Sequence, residues 1–248
     1  MKELLFFVAI FLANIIQGIT GFAGTILAMP FGIMLMGYDV AKPVLNVLGL
    51  LSGIYVFLGN RRYVDRKELK QIVLIMVIGI FAGMGLKQFI GTGKAILYQA
   101  LGIFVILLAM HGLYRMLAVR NKQEEQNGQK EHRLRDFLLL ITAGIVHGIF
   151  VSGGPLLIGY LTGRISDKRS FRATISTVWI LLNTIIMVGD IHAGMWNKDN
   201  LCILGISFPV LAAGMFAGGK LYQCMSQRFF MILTYVLLMI SGATLLCR

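Results

Sequence analysis

Hydrophobicity along this chain comes in uncharged blocks, at about 4–38, 43–60, 71–86, 95–114, 137–163, 173–189, 200–219 and 229–247. A helix that crosses the hydrocarbon of a bilayer needs about 20 apolar residues, and most of the blocks fit one crossing. The first and fifth do not. As unbroken helices they would reach roughly 50 and 40 Å. Each carries helix breakers near its middle, Gly18, Gly21, Gly24 and Pro30 in the first, Gly148, Gly153, Gly154 and Pro155 in the fifth. Each is therefore expected to be a broken or re-entrant hairpin, two shorter helices that turn inside the membrane.

The two broken blocks echo one another. Shifting the chain by 130 positions lays Gln17 on His147, Gly18 on Gly148, Ile19 on Ile149 and Gly24 on Gly154. Further on, Gly79-Ile-Phe-Ala-Gly83 resembles Gly214-Met-Phe-Ala-Gly218, a small-xxx-small spacing that lets membrane helices approach closely. The expected organisation is one integral membrane domain, all-α and polytopic. It is built from an N-terminal repeat over 1–118, a solvated polar linker over 119–136 and a C-terminal repeat over 137–248. Each repeat is a broken hairpin plus three transmembrane helices.

Charge placement orients the repeats. The loop Arg61 to Lys70 and the stretch Arg115 to Arg135 together hold eleven Lys and Arg, which places both in the cytoplasm by the positive-inside rule. A single crossing by the fifth block would put Arg164, Lys168, Arg169 and Arg172 outside. A hairpin keeps them inside. The same reasoning starts and ends the first block outside, leaves both termini external, and makes the two repeats inverted relative to one another.

Composition agrees. The chain is 57% hydrophobic and 14% charged, with mean hydropathy +0.79, more apolar surface than a soluble domain of this size buries. The N-terminal run lacks a small-residue cleavage pattern after its first ten or so residues, so it is expected to be retained. A net charge of +12 raises nucleic acid as a partner, but the basic residues sit in loops without interleaved aromatics, and the bilayer is the expected partner instead. Cys202, Cys224 and Cys247 share no metal-ligand spacing. No cofactor site is expected. A homodimer is one arrangement the sequence allows.

The candidate chemistry lies at the helix breaks. Unwound backbone at membrane depth is tolerated only where protein or a water-filled cavity covers it. A helix that restarts after a glycine turn can aim free N–H groups and the positive end of its dipole at an anion. Gly18, Gly21, Gly24, Gly148, Gly153 and Gly154 would let backbone approach a ligand, with Pro155 opening the second restart. Thr20, Thr25 and Ser152 would add hydroxyls, and Gln17 an amide. The alternative use of these glycines is helix crossing. His147 is an imidazole in the middle of an apolar run, a candidate for binding and proton coupling, or a neutral group bonded to a carbonyl. Asn46 and Asn183 would face the cavity or bridge helices. Asp190 and His192 are expected at the outer interface in water, and Arg172 as an anchor at the cytoplasmic face or a lure for the anion.

In Gln17-Gly-Ile-Thr-Gly-Phe-Ala-Gly24 with Pro30, in Ser152-Gly-Gly-Pro155, and in Asn183 followed by Gly194, the sequence resembles the TauE/SafE sulfite exporter family (TSUP) over essentially its whole length. The resemblance implies transport, in the export direction, of small anions such as sulfite, sulfonates or related organosulfur compounds across the bacterial cytoplasmic (inner) membrane. Proton coupling is compatible with it. A passive anion channel is the alternative, and it would show high flux without uphill accumulation. An enzyme is not expected: Phe150-Val-Ser-Gly lacks the turn of an exposed serine nucleophile, and Gly91-Thr-Gly-Lys94 has Gln88 where a phosphate-binding loop needs glycine.

Overall fold

A computed structural model of the protein describes residues 1–86, 131–150 and 153–246, together with isolated positions between 99 and 114. Among the described residues the regular structure is helical throughout. The helices are α1 (Lys2–Thr20), α2 (Ala23–Met36), α3 (Tyr38–Asn60), α4 (Arg66–Leu86), α5 (Glu131–Phe150), α6 (Gly154–Thr162), α7 (Lys168–His192), α8 (Lys198–Cys224) and α9 (Gln227–Leu246), with a short 3₁₀ turn at Arg61–Tyr63. Five helical segments, Lys2–Thr20, Tyr38–Tyr63, Arg66–Leu86, Lys168–His192 and Lys198–Cys224, are long and apolar enough to cross a membrane. The block at 95–114, the outer turn at 91–94 and the linker over 119–130 lie outside the described residues.

Two of the helices, α7 and α8, extend beyond their apolar blocks from capped N-termini. α7 begins among charged residues, where Asp167 accepts from the Ser170 N–H, and α8 begins where Asn197 accepts from the Asn200 N–H, each satisfying a donor that the first helical turn leaves open. Both long blocks break as expected. α1 stops at Gly21, whose φ of 83° is a left-handed conformation that glycine adopts without penalty. α2 then folds back along α1, so that a Cβ at Gly24 would lie 2.7 Å from the Ala13 carbonyl and 2.6 Å from Gln17 Cβ. The second hairpin repeats this contact, with Gly153 against the Ala143 carbonyl and His147 Cβ. Ala13 and Ala143, like Gln17 and His147, are partners under the 130-residue shift.

By contacts the chain divides into two compact units, Met1–Val73 with Asp167–Phe230, and Leu74–Ser166 with Met231–Arg248. Each takes segments from both sequence halves. In the first, α1 crosses α8 where Gly18 meets Gly218 and where Gly214 meets Asn14 and the Phe11 carbonyl. In the second, α4 crosses α5 where Gly79 meets Gly144 and the Ile141 carbonyl, and Gly83 meets the Ile145 carbonyl. The small-xxx-small pairs thus serve close packing in both units.

Beside an apolar core, many large apolar side chains face outward and a set of polar ones is buried. Leu74, Ile78 and Phe81 on α4, Leu181 and Val188 on α7, and Phe208 and Phe216 on α8 are exposed, while Asn14, Gln17, Thr20, Asn46, Ser52 and Asn183 are buried. Apolar groups outside and polar groups inside suit a hydrocarbon solvent, in which every polar group must find its partner within the protein.

The crossing of α1 and α8 gives a paired test. A Cβ at Gly218 would strike the Ile15 carbonyl, whereas one at Gly219 meets only the Tyr55 hydroxyl at 3.5 Å. Gly218→Ala is expected to lower the stability of the purified protein by about 1–3 kcal/mol and Gly219→Ala to leave it unchanged, read as thermal unfolding in detergent.

Candidate functional site

The break between α1 and α2 is covered by the protein's own side chains. On its N–H side, the Thr20 hydroxyl accepts from Phe22 N at 3.4 Å and Ala23 N at 3.2 Å, and Gln17 Oε1 accepts from Gly24 N at 2.7 Å. On its carbonyl side, Arg172 donates to Gly18 O and the Ser176 hydroxyl to Gly21 O. The guanidinium stands where the negative end of the α1 dipole emerges, with its carbon 4.3 Å from the Tyr222 ring centre. Phe171, next to it, is fully buried and packs edge-on against Phe22 and Phe230. Arg172 is therefore an internal anchor for the hairpin. Gln17 and Thr20, expected as donors to a ligand, are engaged within the chain.

From this break a row of polar groups runs along the facing sides of α3 and α7. Lys42, Asn46, Gly49 and Gly53 recur at helical spacing on one face of α3. On α7, Ser176, Asn183 and Asp190 do the same, and the two helices run antiparallel. Gly53 lies against Ser176 O and Ile180, and Gly49 against Thr25 Oγ1 and Asn183 Nδ2, where a Cβ would be 2.8 and 2.9 Å from those atoms. Asn46 Nδ2 donates to Asn183 O at 3.0 Å. Asn46 Oδ1 is buried with no hydrogen-bond partner among the described residues. Ser52 joins the row to the break: its hydroxyl donates to Gly49 O at 2.8 Å and accepts from Gln17 Nε2 at 3.0 Å. From Arg172 to Asp190 the seam extends about 27 Å at helical rise, close to the thickness of the hydrocarbon.

At the far end of the seam Lys42 Nζ donates to Asp190 Oδ1 in an ion pair. The Asp190 side chain is 2% and the Lys42 side chain 9% exposed. Asp190, expected in water at the interface, is instead buried and paired, because α3 extends below its apolar block and brings Lys42 alongside. His192, by contrast, is exposed, with Nδ1 against the Val188 carbonyl at 2.8 Å.

The candidate residues thus fall into two groups. Gln17, Thr25, Asn46 and Asn183 come together in the first unit with Ser52, while Thr20 and Gly21 belong to the adjoining break, and Gly18 and Gly24 are taken up by close packing. The second unit holds its own group. His147 is 3% exposed with its Cβ under Gly153, Gly148 packs on the Ile80 main chain, and Gly154 and Pro155 open α6, both buried. Ser152 lies outside the described residues. Among the described residues no group of His, Cys, Asp and Glu is arranged to hold a metal ion.

These features define an all-α polytopic membrane protein that turns polar side chains inward along a seam between helices. A family model described as sulfite exporter TauE/SafE matches residues 6–245, and the chain belongs to that family. Membership makes it a membrane transport protein of the sulfite-exporter type rather than an enzyme. No curated protein and no solved structure matches the chain.

Gln17 tests the covered break. Gln17→Leu strands the buried Gly24 N–H and takes from the Ser52 hydroxyl one of its two partners, the bond to Gly49 O remaining, and is expected to cost about 1–3 kcal/mol. Ser52→Ala leaves the Gly24 bond in place and should cost less, both measured by thermal unfolding.

Proposed function

We propose that the protein is a secondary transporter that exports small organosulfur anions, such as sulfite or a sulfonate, by alternating access, with the α3–α7 seam of its first unit as the binding region. The observation that carries this reading is the chemistry of the seam. Between the hairpin break and the ion pair the side chains are neutral and rich in donors: the Thr25 and Ser52 hydroxyls and the Asn46 and Asn183 amides. Oxyanions are held by such groups when water is excluded, since each donor then acts in a low-dielectric surrounding. No carboxylate interrupts this stretch of α3 and α7 before Asp190. Gly49 lets two of these donors converge, as a Cβ there would lie 2.8 Å from Thr25 Oγ1 and 2.9 Å from Asn183 Nδ2.

The orientation that goes with this reading puts both termini outside in the bacterial inner membrane, with the Arg172 end of the seam at the cytoplasm and the Lys42–Asp190 end outside. An anion leaving the cell would then meet the basic residues of the 164–172 loop first, where Lys168 and Arg169 stand over the Tyr222 and Tyr63 rings.

Uptake and efflux of labelled sulfite, sulfate and methanesulfonate in proteoliposomes test the reading. Saturable, uphill movement of sulfite or methanesulfonate is expected, and Gly49→Ala should lower it on the order of tenfold, equivalent to ~1.4 kcal/mol of binding, without loss of folded protein. Fast downhill flux without accumulation would instead identify a channel. A cysteine at position 2 should label from outside and one at position 166 from inside, and the reverse pattern would discard the orientation.

A further inference from the structure

The ion pair at the end of the seam asks for a purpose. Burying two opposite charges together is seldom more stabilising than packing apolar side chains of the same volume, whereas leaving one of them without the other is strongly destabilising. The site therefore holds its net charge near zero. Lys42 lies one helical turn from Asn46 on α3, and Asp190 two turns from Asn183 on α7, so the pair closes the row of donors described above. Its surroundings keep unspent polar capacity. Asn200 Oδ1 and Trp196 Nε1 are buried without a hydrogen-bond partner among the described residues, and Asn200 Nδ2 donates to the carbonyls of Met195 and Asp39, which flank the pair. Met195 Sδ is 3.9 Å from Lys42 Nζ.

Resting on the transport reading, we infer that Lys42 and Asp190 form the site at which a proton and the anion are exchanged together. With Asp190 ionised, its carboxylate occupies Lys42 and the anion is excluded. When a proton binds Asp190, the carboxyl becomes neutral and the buried ammonium requires another negative charge, which the anion supplies beside Lys42 and the seam's amides. Release reverses both steps: the anion leaves, the proton leaves, and Asp190 returns to Lys42. One proton accompanies one negative charge in each direction, so the cycle is electroneutral, and export proceeds where the outward gradient of the anion exceeds the inward gradient of the proton. Arg172 does not compete for this role, because its charge is directed to the Gly18 carbonyl and the Tyr222 ring. The other titratable groups at this end are Tyr38 and Asp39 at the start of α3, His192 at the end of α7, and Lys198 and Asp199 at the start of α8. Of these Asp39, His192, Lys198 and Asp199 are exposed. α2 brings no charged residue, and α1 brings Lys2 and Glu3, also exposed.

Methanesulfonate is the suitable probe, since the anion of a strong acid cannot carry the proton itself. Two readouts on the full chain separate this inference from the transport reading. In detergent, methanesulfonate should raise the thermal stability of the wild type more as pH falls. D190N should be stabilised equally at all pH values, and K42Q not at all. In proteoliposomes an acid-outside gradient of one pH unit should drive about tenfold accumulation that an imposed membrane potential does not alter, while D190N should exchange methanesulfonate without responding to the pH gradient. Should D190N fold poorly, the neutral pair K42Q/D190N restores charge balance and should bind methanesulfonate at no pH. Loss of wild-type flux with the pH-linked stabilisation intact would overturn the transport reading and leave the paired site standing. Wild-type stabilisation that is absent or independent of pH, or pH dependence that survives in D190N but vanishes in H147Q, would overturn the inference itself.

Discussion

A helix interrupted inside hydrocarbon must satisfy the backbone groups it releases, and in this protein the interruption at Gly21 and Phe22 is satisfied from both sides. Gln17 and Thr20 reach forward to the first N–H groups of α2. Arg172 and Ser176 reach across from α7 to the last carbonyls of α1. Removing either set would leave polar backbone without water to replace it, so the position of α7 against α1 follows from hydrogen bonding as much as from packing. Once α7 is fixed at Arg172 and Ser176, its face two and more turns on falls against α3. There the glycines at 49 and 53 allow the two helices to close, and Asn46, Asn183, Lys42 and Asp190 meet. The close crossing of α1 and α8 at Gly18 and Gly218 supports the same hairpin from its other side and brings Tyr222 under the Arg172 guanidinium.

This arrangement explains how so apolar a chain carries a set of buried polar side chains within the first unit, beside a core that includes Phe6, Ile10, Leu48 and Phe171. Apolar side chains are needed on the outside, where lipid is the solvent, and Leu181, Val188, Phe208 and Phe216 supply them. Association of the helices then rests on glycine contacts and on side-chain hydrogen bonds rather than on the hydrophobic effect, which offers little between helices already in lipid. In the proposed transport reading, the same donors that hold the helices together, the amides and hydroxyls along α3 and α7, are the groups offered to a small oxyanion. A seam made of neutral donors can exchange its internal partners for those of a ligand at little cost, which suits a protein that must bind and release.

Much of this is legible in the sequence. Block lengths and the positions of glycine and proline located both broken hairpins, and the 130-residue echo found the pair Gln17 and His147, which occupy the same place against Gly24 and Gly153. The spacing of Gly79 with Gly83 and Gly214 with Gly218 read correctly as packing. What the pattern concealed were the partners. Nothing in a linear sequence states that Gln17 serves Gly24 and Ser52 rather than a ligand, because the bond depends on a fold-back of the chain. Asp190 stands at the end of an apolar block and Lys42 just before one, positions that a linear pattern assigns to the water interface. The helical spacing of Lys42, Asn46 and Gly49 on α3, and of Asn183 and Asp190 on α7, was the signal that could have paired them.

The central claim is that the α3–α7 seam, and not the outer surface of these helices, meets water and anion. In a chain with Cys202, Cys224 and Cys247 replaced by serine, single cysteines in place of Thr25, Asn46 and Asn183 can be challenged with a charged, membrane-impermeant thiol reagent and compared with cysteines in place of Leu181 and Val188 on the exposed face of α7. The account predicts that the seam positions react, that sulfite or methanesulfonate slows them, and that the outer positions stay inert in the bilayer. Reaction at Leu181 and Val188 with silence at Thr25, Asn46 and Asn183 would contradict it.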